Sequence, residues 1–255
     1  MTVAVISALQ TELDLVIEAL IRVRGGSIAG WANWQGEYGD TGVVAARAGL
    51  GKVNTAALAA LLWERHRPEL MVFTGVAGGL DPDLAVGDMV IGERTIQHDA
   101  GVISAAGLQR YQAGHLPFHN PTDQFGFTPS AQLLDLVRKS VEGVELSPVL
   151  DRPPSVRFGT IVTGDVFLQD ASTRDRLYAE LSAQAIDMEG AALGQVASHL
   201  GVDHIVIRSL SDLAAGEAAE HFDRFVPEVS ANSARLVIGL LDRLQEDDRD
   251  LSIGS

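Results

Sequence analysis

Cysteine is absent from the 255 residues of the chain. That excludes a disulfide scaffold, a thiolate nucleophile and any zinc or iron–sulfur centre held by Cys. Positive charge is scarce, with 19 Lys and Arg against 34 Asp and Glu and a formal net charge of -15. Proteins that bind nucleic acid need cations to neutralise phosphates, as do those that dock on anionic membranes. Neither nucleic acid nor membrane is therefore an expected partner, and a neutral or cationic small molecule fits better. Long apolar runs are missing as well, so nothing spans a bilayer. The first residues have no basic start, and Glu12 and Asp14 break their apolar stretch, unlike a secretory signal. The expected location is cytoplasmic. What the chain does have is 46% hydrophobic residues, enough for a full core. Its length suits one large α/β domain or two small ones.

Val3-Ala4-Val5-Ile6 reads as a buried strand at the very start. From Leu9, apolar residues recur at Leu13, Val16, Ile17, Leu20 and Ile21, which is helical spacing and puts Glu12 in the first turn. The Gly-rich stretch 25–51 predicts two or three antiparallel strands with tight turns. Gly51-Lys52 superficially suggests a phosphate loop, but Ala46 and Val53 stand where that pattern requires Gly and Ser or Thr. A glycine turn opening a helix over 53–66 is sufficient. Leu70 to Phe73 reads as a central strand ending in a turn of small residues, Thr74 to Leu80, that lets a ligand approach the backbone. Another strand starts at Met89.

Residues 101–129 have little periodicity, the mark of a lid or interface loop. His115 and His119 are four apart there, but Pro117 between them spoils a helical ligand pair, and no metal or other cofactor is expected. A helix over 131–141, a Pro-rich linker over 147–155, a strand over 158–162 and a helix capped by Ser172 follow. Then come the strand into Ile186, a helix to about 200, a strand over 203–208 and a last helix over 229–244. Helices alternate with buried strands, so the fold class is α/β with a central sheet. The domain is expected over 1–245, with a polar, frayed tail over 246–255.

Chemistry collects at the strand ends, where α/β folds bind ligands. Asp187-Met188-Glu189 sits where a strand hands over to a helix, and Glu12 and Asp212 occupy comparable places. Each has a plain alternative: an acid in a first turn complements the helix dipole, and Ser211 with Asp212 caps a helix. Arg208 has the alternative of a structural ion-pair partner, and Phe167 and Phe222 that of core, the usual place of aromatics near a sheet. The acids in concert make the chemical reading the better one.

Thr74-Gly75-Val76-Ala77-Gly78-Gly79-Leu80, Val86-Gly87-Asp88, Thr163-Gly164-Asp165, Asp187-Met188-Glu189-Gly190-Ala191-Ala192 and Arg208-Ser209-Leu210-Ser211-Asp212-Leu213-Ala214 stand in that order. Together they resemble the nucleoside phosphorylase and nucleosidase superfamily, and within it the 5′-methylthioadenosine/S-adenosylhomocysteine nucleosidases, over residues 3 to about 244. The resemblance implies a single three-layer α/β/α domain with a mixed, partly barrel-like sheet. It also implies an adenine nucleoside substrate, a homodimer and a set of roles. Asp212 is then the acid at the purine, Glu12 the base on water, and Glu189 the acceptor of the ribose hydroxyls, with Arg208 orienting the acids or holding water. Phe167 would stack on adenine, and the backbone of Leu168 would read its edge. Val76 and Gly78 come from the small-residue segment, Met188 packs on the sugar and Ser211 supports Asp212. Leu9, Leu50 and Phe222 surround the 5′ substituent, joined by Pro117 and Phe118 from this subunit or its neighbour.

On the same fold the competitors are a purine nucleoside phosphorylase and an aminodeoxyfutalosine nucleosidase. Phosphorolysis needs clustered cations for a dianion, and Ser7 to Glu12 holds none, so hydrolysis is favoured. From another class, a nucleoside-binding protein without catalysis predicts loss of an essential acid, and all three acids are present.

Overall fold

The computed structural model of the chain describes residues 1–253, with side chains described through residue 246. The chain starts with β1 (Thr2–Ser7), a 3-10 turn (Gln10–Glu12) and α1 (Asp14–Ala19). It continues through β2 (Ile21–Ile28), β3 (Trp31–Tyr38), β4 (Thr41–Arg47), α2 (Lys52–His66), β5 (Leu70–Gly79), β6 (Met89–Gln97), β7 (Gly101–Ser104) and β8 (Gly107–Arg110). The second half holds α3 (Ala131–Glu142), β9 (Val156–Thr163), α4 (Ala171–Leu181), β10 (Ala183–Asp187), α5 (Gly190–Leu200), β11 (Asp203–Asp212) and α6 (Ala218–Ile253).

One mixed sheet of nine strands runs in the order β10-β9-β6-β11-β5-β1-β4-β3-β2. A further antiparallel pairing of β10 with β5 closes β10, β9, β6, β11 and β5 into a barrel-like ring, from which β1 to β4 extend as a wing. This is the three-layer, partly closed architecture expected. On one face, Leu58 and Leu62 of α2 and Leu193 and Ala197 of α5 pack on Ile6, Phe73 and Val206. On the other, Val16 of α1, Leu133 of α3 and Leu236, Val237 and Leu240 of α6 pack on Val5, Val72 and Ile207. Burial on both faces explains why β5 reads as a continuous apolar run rather than an alternating one.

Several expected boundaries differ. Glu12 lies in the 3-10 turn and α1 ends at Ala19, so Ile21 belongs to β2. Leu20 turns out of the helix to lie against β3, where a Cβ on Gly36 would meet its side chain at 3.0 Å. The small-residue segment after Phe73 is not a turn but the second half of β5, paired with β11. β11 likewise runs past Arg208 to Asp212. The cap of α4 is Asp170, whose carboxylate accepts from Thr173 N at 2.8 Å and from the Ser172 hydroxyl at 2.7 Å. Residues 147–155 are no free linker, because Asn232 holds Ser147 and Asp88 holds Ser155 through backbone amides. The 101–129 stretch contains the β7–β8 hairpin. α6 begins at Ala218, eleven residues before the expected start at Val229, and carries Pro227 inside it. Proline removes one helix hydrogen bond, which packing of Phe225, Val226 and Val229 on Val76 and Val86 offsets. α6 continues into the stretch expected as a tail; residues 254–255 lie outside the described residues. No described helix is long and apolar enough to cross a membrane.

Candidate active site

The carboxyl ends of β1, β5, β10 and β11 meet at one pocket of about 530 Å³, its open mouth included. Every site residue expected from the sequence lines it except Arg208, Pro117 and Phe118. Glu12, Glu189 and Asp212 form its floor, and all are buried.

Glu12 is fixed by two backbone amides. Its Oε2 accepts from Leu9 N at 2.6 Å, closing the turn after β1, and its Oε1 accepts from Val76 N at 3.0 Å on β5. The turn and the central strand thus hold the carboxylate between them. Gly75 makes the approach possible: its φ is +152°, and any Cβ there would collide with the Glu12 carboxylate and with Arg208 Nη1. Burial pushes the Glu12 carboxyl up to about 7, against the pull of the Arg208 guanidinium and the two amides.

Glu189 stands at the N-cap position of α5, yet its side chain caps nothing. Its Oε1 accepts from Gly51 N at 2.9 Å, and its Oε2 from Arg208 Nη2 at 3.1 Å. Capping falls to Asp187, whose Oδ2 accepts from Gly190 N at 2.9 Å. Asp187 also takes Arg208 Nε at 2.8 Å and Nη2 at 2.5 Å, and its Oδ1 accepts from the Thr163 hydroxyl at 2.5 Å. Burial raises the Glu189 carboxyl above its usual range, opposed by Arg208 and reinforced by Asp187.

Arg208 is fully buried behind the floor, with its guanidinium 4.6 Å from the centroid of the Phe73 ring. Burial disfavours its charge, but the carboxylates of Asp187, Glu189 and Glu12 together hold it above the ordinary arginine value. Asp187 is the residue that sequence reasoning leaves without a role. No strand periodicity signals it, because β10 ends at Asp187 and Glu189 is already the N-cap of α5; the fold alone brings both onto Arg208.

Asp212 is aimed by a bulge. β11 pairs Leu210 with Ala77 and Asp212 with Gly78, leaving Ser211 as the extra residue. Asp212 Oδ1 accepts from Ala214 N and Oδ2 from the Ser211 hydroxyl, both at 2.8 Å. A Cβ on Gly78 would lie 3.0 Å from Oδ1, so a small residue opposite keeps the carboxyl open to the pocket. Burial pushes the Asp212 carboxyl up, opposed by those two hydrogen bonds.

The mouth is apolar. Phe167 and Phe222 meet edge to face at 5.7 Å between centroids, and Leu9, Leu50, Val166 and Leu168 continue the wall. Phe167 is 46% and Leu50 53% exposed. Met188 and Ile186 line the pocket between floor and mouth. Pro117 and Phe118 take no part in the pocket of their own chain, and Phe118 points into solvent. Among the described residues no Lys, Arg or His lines the pocket.

The family model described as the phosphorylase superfamily matches residues 2–242. A protein of Mycobacterium bovis named 5′-methylthioadenosine/S-adenosylhomocysteine nucleosidase is 41% identical over 246 residues, covering 94% of this chain and 96% of that protein. Among solved structures, the nucleosidase of the same name from Neisseria meningitidis, in complex with methylthio-immucillin-A, superposes with a TM-score of 0.81 at 30% identity, covering 94% of this chain and 98% of its own. The corresponding Colwellia psychrerythraea structure, in complex with adenine, gives 0.82 at 32% identity and covers 96% of both chains.

Proposed function

The chain belongs to the phosphorylase superfamily, and from that premise we propose that it hydrolyses the N-glycosidic bond of 5′-methylthioadenosine and S-adenosylhomocysteine, releasing adenine and the 5′-thio-substituted ribose. The observation that carries hydrolysis over phosphorolysis is the floor: three buried carboxylates, and no cation among the described lining residues. A phosphate dianion needs unpaired positive charge. Arg208 is engaged by Asp187 and Glu189, and Glu12 adds a negative group where phosphate would lie. Neutral water is the nucleophile that tolerates this field.

In this reading adenine lies between Phe167 and the backbone of Leu168, and its ring nitrogen receives the proton of Asp212. Burial favours the protonated form of that carboxyl, and Ser211 and Ala214 fix its direction. The bond from C1′ to the purine breaks with its electron pair on the base, and positive charge builds on the ribose. Glu189 accepts hydrogen bonds from the ribose hydroxyls, and Met188 packs on the sugar. Val76 and Gly78 shape the wall that receives the nucleoside. Water adds its oxygen to C1′ and gives a proton to Glu12, whose value of about 7 suits a base working near neutrality. Arg208 orients Glu189 and compensates the negative charge of the floor. Leu9, Leu50 and Phe222 surround the 5′ substituent.

Adenine release from methylthioadenosine in phosphate-free buffer tests the proposal, and strict dependence on phosphate overturns it. A cytoplasmic homodimer belongs to the same proposal. Exposed apolar Ile103, Leu116 and Phe118 on the β7–β8 hairpin and the loop after it support the dimer. Light scattering and cell fractionation test these two points.

A further inference from the structure

Beside the pocket lies a second groove of about 690 Å³, open to solvent, at the carboxyl ends of β1 and β4. Ala8 and Leu9 line both, and Gly49 of the groove precedes Leu50 of the pocket mouth. Leu9 and Leu50 are also the residues assigned above to the 5′ substituent, so the groove begins where a short substituent ends. Its wall is fixed: the Trp31 indole donates to Ala48 O at 2.8 Å, which sets the ring against the strand end. Gly30 and Gly49, with φ of +94° and +84°, keep the backbone turns on either side tight.

The groove differs from the pocket in charge. Arg47, the last residue of β4, lines it and is exposed, and among the described residues it makes no ion pair or side-chain hydrogen bond. Gln10 lines it too. Its Nε2 donates to Asp14 at 2.9 Å, which leaves its amide oxygen as an acceptor. A free guanidinium next to a free carbonyl oxygen complements a zwitterion.

We infer that this groove is an outer subsite for the α-amino acid end of the homocysteinyl substituent, with Arg47 pairing its carboxylate and the Gln10 amide oxygen accepting from its ammonium. This rests on the nucleosidase reading and deepens it: the floor handles the glycosidic bond, and the groove separates S-adenosylhomocysteine from methylthioadenosine, which has nothing to place there. The contact is exposed and screened by solvent, so the preference it confers is a few-fold and not orders of magnitude.

The test is the ratio of kcat/KM for S-adenosylhomocysteine to that for methylthioadenosine, in which any general loss of activity cancels. Arg47→Ala is expected to lower the ratio about three- to five-fold. Arg47→Glu should lower it about ten-fold, and Arg47→Lys should restore most of it. The decline should shrink in high salt. A ratio unchanged in Arg47→Glu, or one that Arg47→Lys fails to restore, overturns the subsite. If the unsubstituted protein cleaves neither nucleoside, the functional reading itself fails, a result distinct from an unchanged ratio.

Discussion

The floor and the mouth of the pocket are built on opposite plans. Floor groups are buried, come from strand ends, and have most of their hydrogen-bonding capacity met by backbone amides or by one another. Mouth groups come from loops and from the start of α6, are partly exposed, and hold together by apolar contact between Phe167 and Phe222. Fixed donors and charges need no reorganisation when the bond breaks, which is what acid–base chemistry requires. Loop side chains yield to substituents of different size. The difference teaches that rigid and yielding parts of the pocket come from separate parts of the chain; under the proposed function the first carries the reaction and the second the substrate range, and substitutions should separate them.

The largest effect is expected at the floor. Asp212→Asn and Glu12→Gln each remove a group to which the proposed mechanism gives a proton transfer, and each should lower kcat about 10²- to 10⁴-fold. Adenine binding, read by calorimetry, should survive in both. Full turnover in Asp212→Asn would remove that residue from the mechanism.

Next comes Asp187→Ala, which leaves Arg208 with only part of its buried compensation. Breaking a buried pair in this way costs about 3–5 kcal/mol, which denaturant unfolding should report. Little change would mean that Glu189 alone suffices for Arg208 and that the floor is less tightly coupled than its geometry implies.

Glu12→Gln carries a further signature in stability. In the fold its carboxyl sits at about 7 against 4.5 for the free group. The native state therefore binds the proton more tightly than the unfolded state, and the wild type loses stability as pH rises from 4.5 through about 7. Above that window Glu12→Gln should be the more stable protein, by on the order of 1 to 3 kcal/mol. The same ionisation should make kcat/KM of the wild type fall as pH drops below about 7. Thermal melts on either side of that window check the first, and a pH–rate profile the second.

The smallest effect belongs to the mouth. Phe167→Ala deletes one edge-to-face pair and one stacking surface, worth about 0.5–1.5 kcal/mol for the pair. KM should rise about ten-fold or less with kcat nearly unchanged. A large fall in kcat would erase the division between floor and mouth.

Much of this is legible in the amino-acid order because function and local structure leave marks at the same places. Glu12, Glu189 and Asp212 each follow an apolar strand, and strand ends are readable from hydrophobic runs. The sheet closure is legible only through family likeness: no residue of β10 announces that Ala185 and Ile186 pair with Gly79 and Gly78. Small residues after Phe73 read as a turn, since a strand of Gly and Ala carries no β propensity of its own. It exists because β11 supplies its partners. Pro227 hides the true start of α6 for the converse reason: packing outweighs a local helix breaker.

What the sequence determined by itself was composition-level and local. It set an acidic α/β chain without cysteine chemistry, its acids at strand ends and its glycines where side chains would not fit. What tertiary structure decided was which acid meets which partners. Asp187 and Glu189 are two residues apart with the same chemistry in reach. Only the fold brings Gly190 N, Thr163 and Arg208 onto one and the Gly51 amide with the open pocket onto the other. A carboxylate's role depends on its partners and its exposure to water, and both are fixed by distant segments of the chain.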